Sequence, residues 1–313
     1  MKKILAAFLL LLGIITLTAC TVEEPSNGGG DNETPPTQTD SEIQGYTRDS
    51  SSGTREAFFD IIGLPKTHSE TTVAKVQESS SNGDMINKVK NDVNGIGYIS
   101  LSSLDGSGLK GLKFQGVEAT EDNVLNNTYE LKRPFNYITK VSDESTESKL
   151  VEAFIAFINT QEGKKTIQDN GGIVEIKASD KKWSDIKSEY TITTQDNSAI
   201  TIKFGGSTSV EKIAKALSGQ FKALAGNFQV EHNHTGSGDA YKRTQGSEKD
   251  GANAVHIGFL SRNFGSSEAN RAENTSGILA WDAVVAVVHT NNKLTNISAS
   301  NLKAIFSGIR KNW

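Results

Sequence analysis

The sequence predicts an α/β protein with largely parallel sheets, and three observations carry that prediction. Short apolar runs alternate with amphipathic stretches of helical period from residue 43 onward. Several of the changeovers fall in turns of serine, threonine and glycine, which cap helix starts and let the backbone bend. Of 313 residues, 35% are hydrophobic and 22% charged, a balance that supports one or two globular domains.

The first twenty residues, "MKKILAAFLLLLGIITLTAC", stand outside that alternation. Lys2 and Lys3 precede a short apolar run, Ile4 to Leu17, that ends in small residues, which is the layout of a secretory signal. The ending Leu17-Thr18-Ala19-Cys20 resembles the bacterial lipobox, whose cysteine is lipidated and becomes the new N-terminus. An ordinary secretory signal with an incidental cysteine is the alternative, but Cys20 is the one cysteine of the sequence and sits at the cleavage point, and a lipoprotein of this kind is expected to have no disulfide and no transmembrane helix. The expectation is a lipoprotein anchored through Cys20 at the outer face of a cell membrane. Residues 21–42 carry Gly, Pro, Thr and acids with few large apolar side chains, and they read as a disordered tether.

Each later element follows from its pattern. Glu56 to Ile62 has a helical apolar face after a serine-rich turn, and "GIGYISLSSL" (95–104) is a buried strand bounded by glycine. "RPFNYITKV" (133–141) is strand-like, and residues 147–172 form an amphipathic helix pair with a glycine stop. Residues 177–198 turn polar, with a linker expected at 179–198. "AITIKFGGSTSVEKIAKALSGQFKALA" (199–225) reads strand, glycine turn, helix, and "FQVEHNHTGSGDAYKR" (228–243) repeats the idea. "AVHIGFLSRN" (254–263) and "AWDAVVAVVHT" (280–290) are strands, and "SASNLKAIFSG" is a closing helix.

Three of these turns share one design: Ser52-Gly53-Thr54, Ser207-Thr208-Ser209 and Gly236-Ser237-Gly238. A helix start leaves backbone N–H groups unpaired and partly positive, so it attracts anions. Small hydroxyls add donors, and Arg48 adds a permanent, bidentate positive charge. Any one such turn is better explained as ordinary helix capping. A net charge of −4 without a basic block argues against nucleic acid, and no Walker-type Gly-Lys-Ser/Thr sequence is present. His232 and His234, the one close histidine pair, read as strand-end surface residues, so no metal or other cofactor is expected. Ser52 lacks the base or metal cluster a hydrolase would need, so the chain is not expected to be an enzyme.

Four segments, "TRDSSSGTREAFF", "NGIGYISLSSL", "LKFQGVEATEDNVLNNTYELKRPFNYITK" and "AFIAFINTQEGKKTIQDNGGIVEI", resemble the later part of Pst-type phosphate-binding proteins of bacterial phosphate ABC transporters. "ITIKFGGSTSVEKIAKALSGQF", "VEHNHTGSGDAYK", "HIGFLSRN" and the stretch from Leu279 to Trp313 resemble its first part. The order is reversed relative to the family, which implies a circular permutant; a truncated tandem protein is the competing explanation. The resemblance implies a two-lobe periplasmic-binding-protein-like (type II) fold with the ligand cleft between the lobes. Residues 43–178 then supply the family's C-terminal half, with lobe 2 at 43–136 and lobe 1 helices at 138–178. Residues 199–313 supply the N-terminal half, with lobe 1 at 199–286 and lobe 2 at 290–313.

Residue by residue, the resemblance places phosphate ligands at Arg48, Ser52, Gly53 and Thr54 from one lobe. From the other it places Ser209, the Val210 backbone, Ser237, Ser261 and Arg262. Some family members carry an aspartate at the position of Arg262, where it accepts the proton of hydrogen phosphate. Here Asp282 or Asp49 is expected to take that role and to pair Arg262, although a structural salt bridge explains Asp282 as well. The implied partners are inorganic phosphate, permease subunits of an ABC transporter and the membrane, with the receptor itself monomeric. Another oxyanion (sulfate, molybdate), a phosphorylated small molecule, or a sensor or scaffold role on the same fold are the alternatives.

Overall fold

The computed structural model describes residues 41–64 and 76–313. The lipobox, Cys20 and the tether up to residue 40 lie outside the described residues. The first half runs β1 (Gln44–Arg48), α1 (Gly53–Ile61), β2 (Val76–Ser79), α2 (Asn82–Lys90), β3 (Gly95–Ser100), β4 (Leu109–Gly111), β5 (Lys113–Phe114), α3 (Glu121–Leu125) and β6 (Lys132–Thr139). Three helices follow, α4 (Thr146–Ile158), α5 (Gln161–Asp169) and α6 (Trp183–Ile186). The second half runs β7 (Thr201–Gly206), α7 (Glu211–Leu224), β8 (Gln229–Asn233), α8 (Gly238–Thr244), β9 (Ile257–Leu260), β10 (Ser276–His289), β11 (Asn296–Ile297) and α9 (Ala299–Phe306).

One mixed sheet joins the halves in the order β2-β1-β3-β10-β6-β9-β7-β8, with β4 also on β10. At each end the pairing is parallel, β1 with β2 and β3, and β7 with β8 and β9. In the middle it is antiparallel, β10 with β3 and β6, and β6 with β9. The largely parallel expectation therefore holds at the two ends and gives way where two long strands cross from one half to the other.

Two large hydrophobic cores hang on that sheet, with a small third cluster of Ile138, Ala240 and Leu260. The first gathers Phe58, Phe59 and Tyr98 with Val284–Val288 and Phe306, and the second gathers Phe154, Phe157, Phe204 and Phe221 with Leu279 and Ala280. Tyr98 stacks on Phe58 at 4.0 Å, and Phe154 meets Phe204 edge-on at 5.3 Å. At the start of β6 the changeover falls between Leu131, just before the strand, and Phe135, and on β10 between Ala280 and Ala283. We call the two bodies the first and second lobe.

The segment expected as a linker is folded against the second core. Trp183, Ile186 and Ile192 are buried there, and Trp183 meets Phe157 at 5.8 Å and Phe221 at 5.7 Å. A few apolar residues among many polar ones suffice, because α6 and the short 3-10 turns after it place them on one side. The two ends of the described fold also meet: Glu42 bridges Asn312, and Ile43 N–H donates to Lys311 O at 2.7 Å.

Candidate functional site

β1 ends at Arg48 and α1 begins five residues later, so the chain between must turn within four residues. Asp49 makes that turn: its Oδ1 accepts from Ser51 N–H at 2.9 Å and from the Ser51 hydroxyl. Ser52 then caps α1, its Oγ accepting from Arg55 N–H at 3.3 Å. The N–H groups of Gly53 and Thr54, in the first helical turn, have no carbonyl of their own helix to bond.

Arg48 lies beneath this turn and is 1% exposed. Its Nε donates to Ser79 O at 3.1 Å, and Nη2 donates to Ser80 O at 3.0 Å. Longer contacts of 3.4 Å reach Asn82 Oδ1, Thr208 Oγ1 and Asp49 Oδ2. The partners are therefore mostly neutral, with one carboxylate at the edge.

The second lobe meets this surface with small hydroxyls. Ser207 Oγ donates to Ser261 Oγ at 2.9 Å, Ser261 Oγ lies 3.1 Å from Ser237 Oγ, and Ser261 N–H donates to Ser237 Oγ at 2.9 Å. Across the seam, Thr54 Oγ1 lies 3.1 Å from Ser209 Oγ, and Asn82 Nδ2 reaches Ser209 Oγ at 3.4 Å. Gly238 N–H donates to Ser51 O at 3.3 Å. Gly53 is needed for this approach, since a Cβ there would overlap Ser237 Oγ and lie 2.8 Å from Ser261 Oγ. A cavity of about 720 Å³ opens beside the seam, lined by Ser80, Asn82, Thr208 and Thr235 with Lys212 and Lys215.

The structure thus brings together Arg48, Ser52, Gly53, Thr54, Ser209, Ser237 and Ser261. Val210 is fully buried behind Ser209, and its N–H donates to Ser207 O at 3.3 Å. Arg262 is placed at the seam but turned elsewhere. Its Nε pairs Glu56 at 2.6 Å, and its two terminal nitrogens pair Glu268 at 2.7 and 2.9 Å. Asp282 does not pair Arg262, contrary to expectation. It accepts from Arg133 Nε and Nη2 at 2.9 and 2.8 Å and from Ser100 Oγ at 2.6 Å, where β6 and β10 cross. Burial pushes its carboxyl upward, and Arg133 and Ser100 pull it back. Asp49 keeps its place beside Arg48 but likewise makes no pair with Arg262.

Asn82 and the carbonyls of Ser79 and Ser80 are members of this surface that the sequence patterns did not single out. A signal for them exists: "SSSNG" at 79–83 is a fourth turn of small polar residues between a strand and a helix. The histidine pair is also not a surface feature. His232 and His234 stack 5.3 Å apart between Phe204 and Phe259, and burial lowers both, His232 to about 4. Among the described residues, no three His, Cys, Asp or Glu side chains gather as a metal site would require.

Comparison with known proteins agrees with this architecture. A family model described as a PBP superfamily domain matches residues 191–313. The phosphate-binding protein PstS 2 of Streptococcus pneumoniae serotype 4 is 32% identical over 276 residues, 87% of this chain and 86% of that protein. The PstS 2 of Streptococcus agalactiae serotype V is 28% identical over 312 residues, 97% of this chain and 94% of its own length. Among solved structures, a phosphate-binding protein of a phosphate ABC transporter from S. pneumoniae TIGR4 superposes with a TM-score of 0.64 at 29% identity, over 87% of this chain and 98% of that one. With that identity sustained along most of both sequences, the chain belongs to the PstS family of phosphate-binding proteins.

Proposed function

We propose that the chain captures inorganic phosphate in the seam between its lobes and presents it to an ABC transporter. The observation that carries this reading is Arg48: a buried cation with mostly neutral partners, facing hydroxyls from both lobes. A tetrahedral anion there would take charged hydrogen bonds from Arg48 and neutral ones from Thr54, Ser209, Ser237 and Ser261. The N–H groups at the start of α1 and the Ser52 hydroxyl would complete its shell. Because donors come from both lobes, the anion favours the lobes' approach, which is the differential affinity that closure needs. No bond is made or broken, so the role is a receptor's rather than an enzyme's.

In this reading Asp49 accepts the proton of hydrogen phosphate, supported by its Oδ2 lying 3.4 Å from Arg48. Sulfate brings no proton and would leave that acceptor facing a full negative charge. Calorimetric titration of the chain with phosphate and then sulfate tests both points. Tight phosphate binding with no sulfate heat supports the reading; equal binding of the two sinks the role of Asp49 and favours a general oxyanion receptor. Absence of phosphate binding sinks the function as stated.

We further propose anchorage through Cys20 outside the cytoplasmic membrane, a reading supported by the leader sequence, with the receptor acting as a monomer alongside permease subunits. Mass spectrometry of the membrane-extracted protein would read the lipid on Cys20 directly. The segment order is attributed to circular permutation, supported by the meeting of residues 42–43 with residues 311–312. The PstS 2 relatives match along most of both lengths, so the order is shared with them.

A further inference from the structure

Arg262 stands where the family resemblance put an anion ligand, yet its guanidinium is already engaged. Glu268 takes both terminal nitrogens in a fork, Asn263 O accepts from Nη1 at 2.8 Å, and Nε pairs Glu56 at 2.6 Å. Glu268 is itself fixed, its Oε2 accepting from Gly265 N–H at 2.7 Å. All of this except Glu56 belongs to the second lobe. Glu56 sits in the first turn of α1, the helix whose start carries Ser52, Gly53 and Thr54. The second lobe therefore holds a preset cation, and the first lobe brings it a carboxylate on the helix that also faces the hydroxyl cluster.

We infer that Glu56, Arg262 and Glu268 form an interlobe latch that sets how long the lobes stay together. Arg262 grips Glu56 only when the lobes meet, so the pair adds free energy to the closed state alone. Two carboxylates on one guanidinium leave no donor fork for a third anion, which makes Arg262 a positioning residue rather than a ligand. An interaction made only after encounter acts on release more than on capture. The ligand in this inference is the phosphate of the reading above, but the latch itself does not depend on which anion is bound.

The test uses the full chain with Glu56→Gln, Arg262→Met and the double variant, each checked for an unchanged melting curve. Stopped-flow release and association of phosphate are measured, together with lobe separation in the ligand-free protein by small-angle X-ray scattering. The latch predicts release about tenfold faster or more in each single variant, association within about twofold, and a double variant no worse than either single. Arg262→Lys, which keeps the charge but not the fork, should fall between wild type and Arg262→Met. Glu56→Gln should also widen the ligand-free lobes. Unchanged release and unchanged scattering in Glu56→Gln overturn the latch. So does a loss of binding on Arg262→Met that is as large in the Glu56→Gln background, because the arginine would then be touching the anion. If wild type ignores phosphate, the functional reading fails, and scattering of Glu56→Gln against wild type still decides the latch. Should Arg262→Met fail to fold, release and scattering of Glu56→Gln alone confirm or overturn it.

Discussion

Two arginines of this protein are buried to the same degree, 1% exposed each, and they live in opposite electrostatic circumstances. Arg133, where β6 and β10 cross between the lobes, gives two nitrogens to Asp282 and a third to Ser261 O at 3.1 Å. Ser100 closes the remaining side of the carboxylate. Arg48, at the seam, has backbone carbonyls, an amide and a hydroxyl, with Asp49 only at 3.4 Å. Burying a charge is costly unless an opposite charge shares the site. The crossing has its counter-charge built in and is architecture; at the seam Asp49 is the one carboxylate, at longer range, which is why Arg48 is assigned to the proposed anion site.

Replacing Arg48 should therefore have the largest effect on binding and a small one on the fold. Arg48→Met is expected to weaken phosphate binding by about a thousandfold or more, the loss of a buried charged donor set. Its melting temperature should move by only a few degrees, since the lost hydrogen bonds are offset by removing a poorly compensated charge. Titration calorimetry and a melting curve read the two. Binding within tenfold of wild type would mean that Arg48 is not the anion's counter-charge.

Arg133→Met reverses the pattern. It strands Asp282 without its counter-charge, at a cost of about 3–5 kcal/mol of stability, with affinity in the folded fraction little changed. Adding Asp282→Asn should recover part of that loss, because a neutral buried pair is cheaper than a lone carboxylate. Denaturant unfolding of the two variants checks this, and a double variant less stable than Arg133→Met would contradict it.

This contrast marks how far the sequence could be read. The alternation of strands and helices, and the serine-rich turns feeding them, are local patterns, and they pointed to Arg48, Thr54, Ser209 and Ser237. What lay beyond reach was pairing across distance. Asp282 is 149 positions from Arg133, and both lie in apolar strands whose partner choice is set only when β6 and β10 align. Arg262 likewise meets Glu56 only after the lobes close. Residues 179–198 misled for another reason: a mostly polar stretch looks like a linker until a few apolar residues find one face. The proposed permutation rests on segment resemblance, which survives a change of order because each segment keeps its own turn and strand pattern.

Gly53 bears more on Arg48 than on Arg133, since contact between lobes brings Thr208 to Arg48, whereas Arg133 takes its carboxylate from the neighbouring strand β10. Gly53→Ala puts a methyl into Ser237 Oγ and against Ser261 Oγ, so the lobes stop short of full contact. Phosphate affinity should drop about 10–100-fold while stability is unchanged or slightly raised, alanine being the better helix residue. The same titration and melting measurements apply. A fall in stability without a fall in affinity would mean that the close approach is a packing constraint of one lobe alone.

The second lobe's half-buried histidines give the fold a response to mild acid. His232 is the clearest source. Burial holds it near 4, with His234 and Lys215 pushing the same way and Glu211 opposing. Its neutral state is consistent with its contacts: Nδ1 lies 3.1 Å from His234 Nε2, and Nε2 lies 2.9 Å from Ser218 Oγ. With His234 Nδ1 donating to Ser207 O at 3.0 Å, His234 Nε2 is left as an acceptor, so His232 Nδ1 must donate and His232 Nε2 accept. An unfolded histidine binds a proton near 6.5, the folded one only near 4, so the unfolded state holds more protons between those values. Stability should therefore decline as pH falls from about 6.5 to about 4 and level off below, His232 contributing about 1 kcal/mol once solvent screening of a partly exposed ring is allowed for. His232→Gln should flatten that part of the melting-temperature profile and leave the phosphate affinity of Arg48's site intact at pH 7. An unchanged acid slope in His232→Gln would move the response to His234 and His256, which burial also lowers, or to the carboxylates.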